Sequence, residues 1–129
     1  MKYVLDTTWI VEYLRGNEHV VRRVQALQEE GLGVSIISVA ELFEGVFRSR
    51  SPIENEQALL DFLGGVTVLP ISEEIARIYG EKKAALDKKG AAVGSLDLLI
   101  AATALAAGAA LFTFDSDFQR VEGLAILGG

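Results

Sequence analysis

The sequence contains no cysteine, one histidine, one tryptophan and two prolines among its 129 residues. Without cysteine no disulfide can form, and a reducing compartment, the cytoplasm, is the expected location. The three apolar residues before Asp6 are too few for the core of a signal peptide. The alanine-rich stretch 98–110 is too short to cross a bilayer, and Gly108 interrupts it. We therefore expect neither export nor membrane insertion.

Positive charge is also scarce. The chain has 12 lysines and arginines against 18 aspartates and glutamates, which gives a net charge of -6. Such a chain repels nucleic acid on average, whereas most nucleic-acid-binding proteins present a basic face. The basic side chains could still contact phosphates if they gather on one side, but a solvated face balanced by neighbouring acids is the preferred interpretation for each of them. They include Lys82, Lys83, Lys88, Lys89, Arg22, Arg23, Arg48, Arg50 and Arg120.

Apolar residues make up 50% of the chain, which is enough for the core of one domain, residues 1–129. Short apolar runs without helical spacing alternate with longer helical patterns, as in parallel strands that helices cover on both faces. The pattern predicts a three-layer α/β/α fold with a short, mostly parallel sheet. Strands are expected at 2–5, 33–37, 66–69, 109–114 and 124–127, and helices at 8–15, 18–30, 38–49, 54–64, 72–89 and 95–107.

Four acidic residues stand where an apolar run gives way to a helix or turn. Asp6 closes the first strand, and Asp115 follows the strand that ends at Phe114. Glu41 is expected in the first turn of the helix after the second strand, and Asp97 opens the helix that leads down to the strand at 109. Ligands of open parallel sheets bind outside the carboxyl ends of the strands, so all four carboxylates are predicted to face one rim.

Several carboxylates at one rim repel one another, unless some take up protons or a cation neutralises them. Oxygen ligands suit Mg²⁺ or Mn²⁺, while the single histidine and the lack of cysteine argue against zinc. The acids therefore predict a magnesium or manganese site.

Each acid also has an ordinary structural explanation. Ser38 and Glu41 form the sequence of a capping box, in which the serine caps a helix and the glutamate bonds back to it. Asp97 gains from the helix dipole in a first turn, and Asp6 could cap the first helix. Asp115, Ser116 and Asp117 have the composition of a turn. Taken as an ordered set on one rim, the four acids favour the metal site.

Four phrases of the chain, in this order and spacing, resemble the motifs of PIN-domain ribonucleases, and in particular the toxins of VapBC-type toxin-antitoxin pairs. The resemblance covers nearly the whole chain and includes the stretch from Val68 to Arg77. No single phrase is specific, but the ordered set is. The phrases are Tyr3-Val-Leu-Asp-Thr-Thr-Trp9, Ser38-Val-Ala-Glu-Leu-Phe-Glu-Gly45, Ser95-Leu-Asp-Leu-Leu-Ile-Ala-Ala102 and Phe112-Thr-Phe-Asp-Ser-Asp-Phe118.

The resemblance implies roles for the acids. Asp6 and Asp97 would be the principal ligands of Mg²⁺ or Mn²⁺, with Glu41 and Asp115 orienting the metal water or a second ion. Two further positions are auxiliary: Thr113 matches a hydroxyl position common in the family, and Asp117 is either an outer acid or a plain turn residue. Many relatives carry an acid where this chain has Ser95, so an auxiliary carboxylate there is absent.

The family reaction is hydrolysis of an RNA phosphodiester, held in check by a cognate antitoxin, and a homodimer is expected. Aromatic and aliphatic side chains near helical spacing should mostly be core, and those left over could line a groove for an antitoxin helix. His19 is expected to be solvated rather than catalytic. The candidates for core or groove are Trp9, Tyr13, Leu42, Phe43, Val46 and Phe47.

Other classes of protein fit less well. A haloacid dehalogenase-type phosphatase needs a second aspartate two residues after the first, where this chain has Thr8. A phospho-receiver domain needs an acidic pair near the first strand, and no such pair is evident. The alternative that stays open is a non-catalytic PIN-like module whose acidic rim docks a basic segment of a partner. Acids at all four family positions favour the nuclease.

Overall fold

The computed structural model describes residues 1–128 and contains one sheet of five strands, each parallel to its neighbours. The strands are β1 (Tyr3–Leu5), β2 (Leu32–Ser35), β3 (Thr67–Leu69), β4 (Ala110–Phe112) and β5 (Ile126–Leu127). The helices are α1 (Thr7–Leu14), α2 (Glu18–Leu27), α3 (Ile36–Arg48), α4 (Pro52–Leu63), α5 (Glu73–Lys89) and α6 (Ser95–Ala107), with short 3-10 helices at Gln28–Glu30 and Ser116–Arg120.

Helices cover both faces of the sheet, which confirms the predicted three-layer α/β/α fold. Successive side chains of a strand point to opposite faces, so each central strand contributes to two cores. Leu5 and Phe112 pack in the core that contains α1 to α4. Val4 and Leu111 pack in the core on the other face, with α5 and α6. Among residues 1–128, no helix has the length and hydropathy needed to span a membrane.

The strand order, β3-β2-β1-β4-β5, reverses direction at the centre of the sheet. From β1 the chain moves outward to β2 and β3, and it then returns through α5 and α6 to β4 on the other side of β1. This is the topological switch point at which open parallel sheets bind ligands. The backbone amide of Asp6 donates to the carbonyl oxygen of Phe112 (2.8 Å), which holds the carboxyl ends of β1 and β4 together.

The junction of β2 and α3 differs from the prediction. The second strand was expected to run to residue 37 and the helix to begin at Ser38, but α3 already begins at Ile36. Ser35 is the N-cap, because its hydroxyl oxygen accepts a hydrogen bond from the amide of Ile37 (3.1 Å). Ser38 lies buried inside the first turn, so the capping box proposed for Ser38 and Glu41 is wrong.

A proline marks the start of α4. Helix α3 ends at Arg48 with Ser49 as its C-cap, and Pro52 occupies the first position of α4. A proline is favourable there because its missing N–H would have no partner inside the helix. Helix α6 has the predicted bounds, and Ser72 caps α5 by accepting a hydrogen bond from the amide of Ile75.

Candidate active site

Asp6 is the buried carboxylate at the centre of the carboxyl edge. It occupies the N-cap position of α1 and is 2% exposed, but its side chain makes no capping hydrogen bond. Instead its Oδ2 accepts hydrogen bonds from the hydroxyls of Thr8 (2.8 Å) and Thr113 (2.7 Å). The capping role considered for Asp6 is therefore wrong for the side chain. Two hydroxyl donors to one oxygen fix the orientation of the carboxylate.

Glu41 lies in the second turn of α3, not the first, because the helix begins earlier than predicted. Its Oε1 accepts a hydrogen bond from the hydroxyl of Thr7 (2.7 Å), and the oxygen of Thr7 is 3.0 Å from the hydroxyl of Ser38. A threonine hydroxyl has one hydrogen, and an ionised carboxylate can only accept. Thr7 therefore donates to Glu41, and Ser38 donates to Thr7.

The two threonines bound to Asp6 are held in the same way. Thr8 accepts from the backbone amide of Phe114 (3.3 Å), and Thr113 accepts from that of Asp115 (3.0 Å). Each threonine hydroxyl thus accepts a hydrogen bond from a backbone amide and donates one to Asp6, so the amide fixes the direction in which the hydroxyl donates. Within residues 1–128, the other oxygens, Oδ1 of Asp6 and Oε2 of Glu41, take part in no hydrogen bond. They remain available for a ligand.

Asp97 lies close enough to the other acids for their charges to affect its pKa. It lies in the first turn of α6, as predicted, and its side chain is half-buried. The pKa of Asp97 is raised from 3.8 to about 6, mainly by burial and also by the negative charges of the other acids. These acids are Asp6, Glu41, Asp115 and Asp117. The other three predicted acids and Asp117 therefore stand near enough to repel a charge on Asp97.

Asp115 and Asp117 also have the structural roles considered for them. Oδ1 of Asp115 caps the 3-10 helix at Ser116–Arg120 by accepting from the amide of Asp117 (2.9 Å). The carboxylate of Asp117 is 3.6 Å from the guanidinium of Arg120, which also donates to the carbonyl of Ala92 (2.6 Å). Asp117 therefore lies in this 3-10 helix, pairs with Arg120 and contributes negative charge to the rim.

The donor set of the rim is all oxygen, from carboxylates and threonine hydroxyls, which is the set that hard divalent cations prefer. In the described part of the chain, however, no three acidic or histidine side chains converge closely enough to hold one ion. The carboxylates form an open cluster, close enough for the others to raise the pKa of Asp97. Their oxygen donors fit a hard cation.

Of the hydroxyl residues that orient the acids, Thr113 was named from the family resemblance, but Thr7, Thr8 and the role of Ser38 were not. Thr7 and Thr8 follow Asp6 directly, and that pair of hydroxyls after a strand-ending acid was the available signal. Ser38 was assigned to a cap instead.

Most of the other predicted roles are confirmed. Trp9, Leu42 and Val46 are buried, and Tyr13 and Phe43 pack against the same core. Phe47 is the side chain left over, at 68% exposure, and His19 is exposed. Several basic side chains are paired on the surface, as expected: Arg22 with Glu18, Arg48 with Glu44, Lys83 with Asp87 and Lys89 with Glu122.

Two depressions lie beside α1, and Thr7, Val11 and Arg15 line both of them. The first, which we call the helix groove, lies between α1, α3 and α4, has a volume of about 360 Å³ and is lined by Leu14, Leu42, Val46 and Ala58. The second, which we call the α1 cavity, has a volume of about 480 Å³ and is lined by residues of α1 and by Phe114. Glu41 therefore borders the helix groove, and Thr7 and Thr8, which donate to Glu41 and Asp6, border the α1 cavity. Phe47 does not line the groove.

Comparison with known proteins gives consistent similarities. A family model described as the PIN domain matches residues 3–124. The chain is 34% identical over 127 residues to "Ribonuclease VapC1" of Haemophilus influenzae, which covers 96% of this chain and 95% of that protein. It is 28% identical over 125 residues to "tRNA(fMet)-specific endonuclease VapC" of Shigella flexneri, covering 96% and 95%. Among solved structures, VapBC2 from Rickettsia felis bound to a promoter DNA fragment superposes with a TM-score of 0.94 at 30% identity, covering 100% and 99%.

Proposed function

This chain belongs to the PIN-domain family, and from that premise we propose that it is a metal-dependent endoribonuclease, the toxin of a type II toxin-antitoxin pair. Relatives of similar length that are named ribonucleases or endonucleases support the reaction, and a neighbouring structure of a VapBC complex supports the partner. The proposal treats residues 1–129 as one PIN-like domain that acts in the cytoplasm, where its RNA substrate is found.

The observation that supports this function most strongly is the coupling of Asp97 to the other acids at the switch point of the sheet. Carboxylates that served only as helix caps and turn residues would not need to converge. Here the carboxylates that follow β1 and β4 and the one on α3 together raise the pKa of Asp97 on α6. Uncompensated repulsion of this kind marks functional sites more often than structural ones. A divalent cation would remove it.

We assign Asp6 and Asp97 as the principal ligands of Mg²⁺ or Mn²⁺, through Oδ1 of Asp6 and the carboxylate of Asp97. When bound, such a cation supplies a water of lowered pKa and offsets the charge of the phosphate and of the leaving oxygen. The threonine bonds to Oδ2 leave Asp6 one free oxygen, so it would bind through a single atom. Thr113 acts here as a positioning residue that orients Asp6.

The remaining acids have roles of their own in the proposed reaction. Glu41 is fixed by Thr7 through Oε1, so Oε2 is free to accept a hydrogen bond or a proton from the attacking water. Asp115 uses Oδ1 for its cap and can orient the same water, or a second ion, with Oδ2. Asp117, which pairs with Arg120, is an outer acid.

An antitoxin would occupy the helix groove. The groove lies between three helices, and apolar side chains form most of its lining, together with the polar side chains of Thr7, Arg15, Glu41 and Asn55. This lining suits an amphipathic segment with a basic side chain that reaches Glu41. The net charge of -6 favours a basic partner of this kind. A homodimer, as expected from the family, would bring the basic side chains of two copies to one RNA.

The experiment is cleavage of a labelled pool of structured RNAs by the purified, antitoxin-free protein with Mg²⁺ or Mn²⁺. Two controls accompany it: the same protein in EDTA, and an Asp6→Asn variant purified identically. We expect cleavage that both controls abolish. If a folded wild-type protein cleaves no class of RNA with either metal, the proposal fails and the non-catalytic module with an acidic docking rim takes its place.

A further inference from the structure

Phe114 is an exposed aromatic residue next to Asp115, and contacts hold both its backbone and its ring. It is 41% exposed, although it follows the buried end of β4. Its backbone amide donates to the hydroxyl of Thr8, which in turn donates to Asp6. Two hydrogen bonds therefore connect the position of this ring to the central carboxylate.

One face of the Phe114 ring rests on a buried support. The rings of Phe114 and Trp9 are stacked, with centroids 5.1 Å apart and an angle of 8° between their planes. Trp9 itself is 1% exposed and packs against Phe112, with centroids 4.8 Å apart. An offset stack on a buried tryptophan restricts the rotation of Phe114. Phe114 also lines the α1 cavity, whereas Trp9 does not.

The α1 cavity has the composition of a site for a flat, partly polar group. Phe114 and Val11 provide apolar surface, and Asn17, Glu12 and Arg15 stand on the polar side. Arg15 (Nη1) and Asn17 (Nδ2) each lie 3.4 Å from a carboxylate oxygen of Glu12, so much of the negative charge there is compensated. Its volume of about 480 Å³ is in the range of small-ligand sites.

We propose that the α1 cavity binds an unpaired nucleobase of the RNA substrate, next to the phosphate at the acids, by stacking it on the free face of Phe114. The inference rests on the proposed function and adds to it where the substrate strand lies. Stacking on an aromatic ring tolerates every base, whereas Asn17 and Arg15 offer donors for the edge of the base or for its phosphate. Single-stranded or splayed-out nucleotides are therefore the preferred substrate.

Binding is tested in an inactive Asp97→Asn background with a labelled single-stranded RNA of mixed sequence. We expect Phe114→Ala to weaken binding roughly 5- to 100-fold, the range of one base–aromatic stack, and Phe114→Tyr to restore it. Phe47→Ala is the matched control, because Phe47 is also an exposed, stacked phenylalanine but lies outside the cavity. Emission of Trp9, the only tryptophan, should change on RNA binding when Phe114 is present.

A second arm uses an RNA that the wild-type enzyme cuts, with an abasic residue placed on either side of the cut in turn. One of the two abasic positions should weaken binding to the parent protein and have little further effect on Phe114→Ala. The inference is overturned if the parent and Phe114→Ala bind RNA with equal affinity. It is also overturned if the losses of binding free energy from the abasic residue and from Phe114→Ala are additive. Loss of antitoxin binding by Phe114→Ala with unchanged RNA binding assigns the cavity to the protein partner and overturns it too.

The proposed ribonuclease function and the proposed nucleobase site can be refuted separately. If the parent protein binds no RNA and the wild type cuts none, both the proposed function and this inference are wrong. If the wild type cuts RNA and Phe114→Ala binds and cuts it equally well, only the nucleobase site is wrong.

Discussion

Replacing Asp97 with asparagine should stabilise the metal-free protein while it removes activity. The change keeps the shape of the side chain and deletes a charge that burial and four neighbouring acids disfavour. Catalytic sites often hold such a conflict between stability and function. Asp97 is the place in this protein where the conflict can be measured.

The magnitude follows from the raised pKa. A rise from 3.8 to about 6 corresponds to about 3 kcal/mol at about 1.36 kcal/mol per unit. Because Asp97 is only half-buried, solvent screening reduces this to about 1–2 kcal/mol. Asparagine also gives up the helix-dipole gain in the first turn of α6, about 0.3–1 kcal/mol. The net gain is about 1 kcal/mol, or a rise in Tm of about 3 °C for a chain of this size.

The gain should depend on pH in a defined direction. The folded state binds a proton on Asp97 more tightly than the unfolded state does, so the contribution of this group is present below pH 3.8 and is lost as the pH rises through about 6. Thermal melts in EDTA should show the stabilisation of Asp97→Asn at about pH 8 and little of it at about pH 4.5.

Glu54→Gln is the matched control, because Glu54 is an exposed acid in the first turn of α4, away from the cluster. It should lose only the dipole gain, so its Tm should fall by about 1–3 °C. The reasoning is refuted if Asp97→Asn lowers the Tm in EDTA at about pH 8, or if it stabilises equally at both pH values.

Three further changes test the groups around the acids. Thr113→Val removes a buried hydroxyl donor to Asp6, so kcat should fall and the free energy of unfolding should drop by about 1–3 kcal/mol. Thr113→Ser should restore both kcat and stability, as measured by steady-state kinetics and thermal melts. Ser38→Ala removes the hydroxyl that aligns Thr7, so it should lower kcat more than KM, whereas Ser35→Ala should cost about 1 kcal/mol of stability as a lost cap and leave kcat near the wild-type value. Ala58→Tyr fills the helix groove, so RNA cleavage should persist when the antitoxin is added; cleavage assays with increasing antitoxin measure the loss of inhibition.

The alternation of short apolar runs with helical patterns was sufficient to predict the fold, because strands covered on both faces leave a distinctive sequence. It also placed the four acids, since a parallel sheet brings the carboxyl ends of its strands to one edge. The pattern failed at Ile36 and Ile37, where two β-branched residues looked like the end of a strand. There the hydroxyl of Ser35 determines the start of α3.

The hydroxyl contacts of the site could not be predicted in the same way. Thr113 is 107 residues from Asp6 along the chain, and Thr7 is 34 residues from Glu41. Sequence spacing carries no information about which hydroxyl points at which carboxylate oxygen across elements. The stacking of Phe114 on Trp9 is likewise a long-range contact, and neither residue predicts it from its sequence position.

Mn²⁺ located by anomalous scattering in crystals of the antitoxin-free protein would test most directly whether the acidic rim is a metal centre. We predict one ion bound by Asp6 and Asp97, with Glu41 and Asp115 facing it directly or through water, and no ion in Asp97→Asn crystals grown alike. Wild-type crystals in saturating Mn²⁺ that hold no ion at these acids, while the protein in solution still cleaves RNA, would contradict the account.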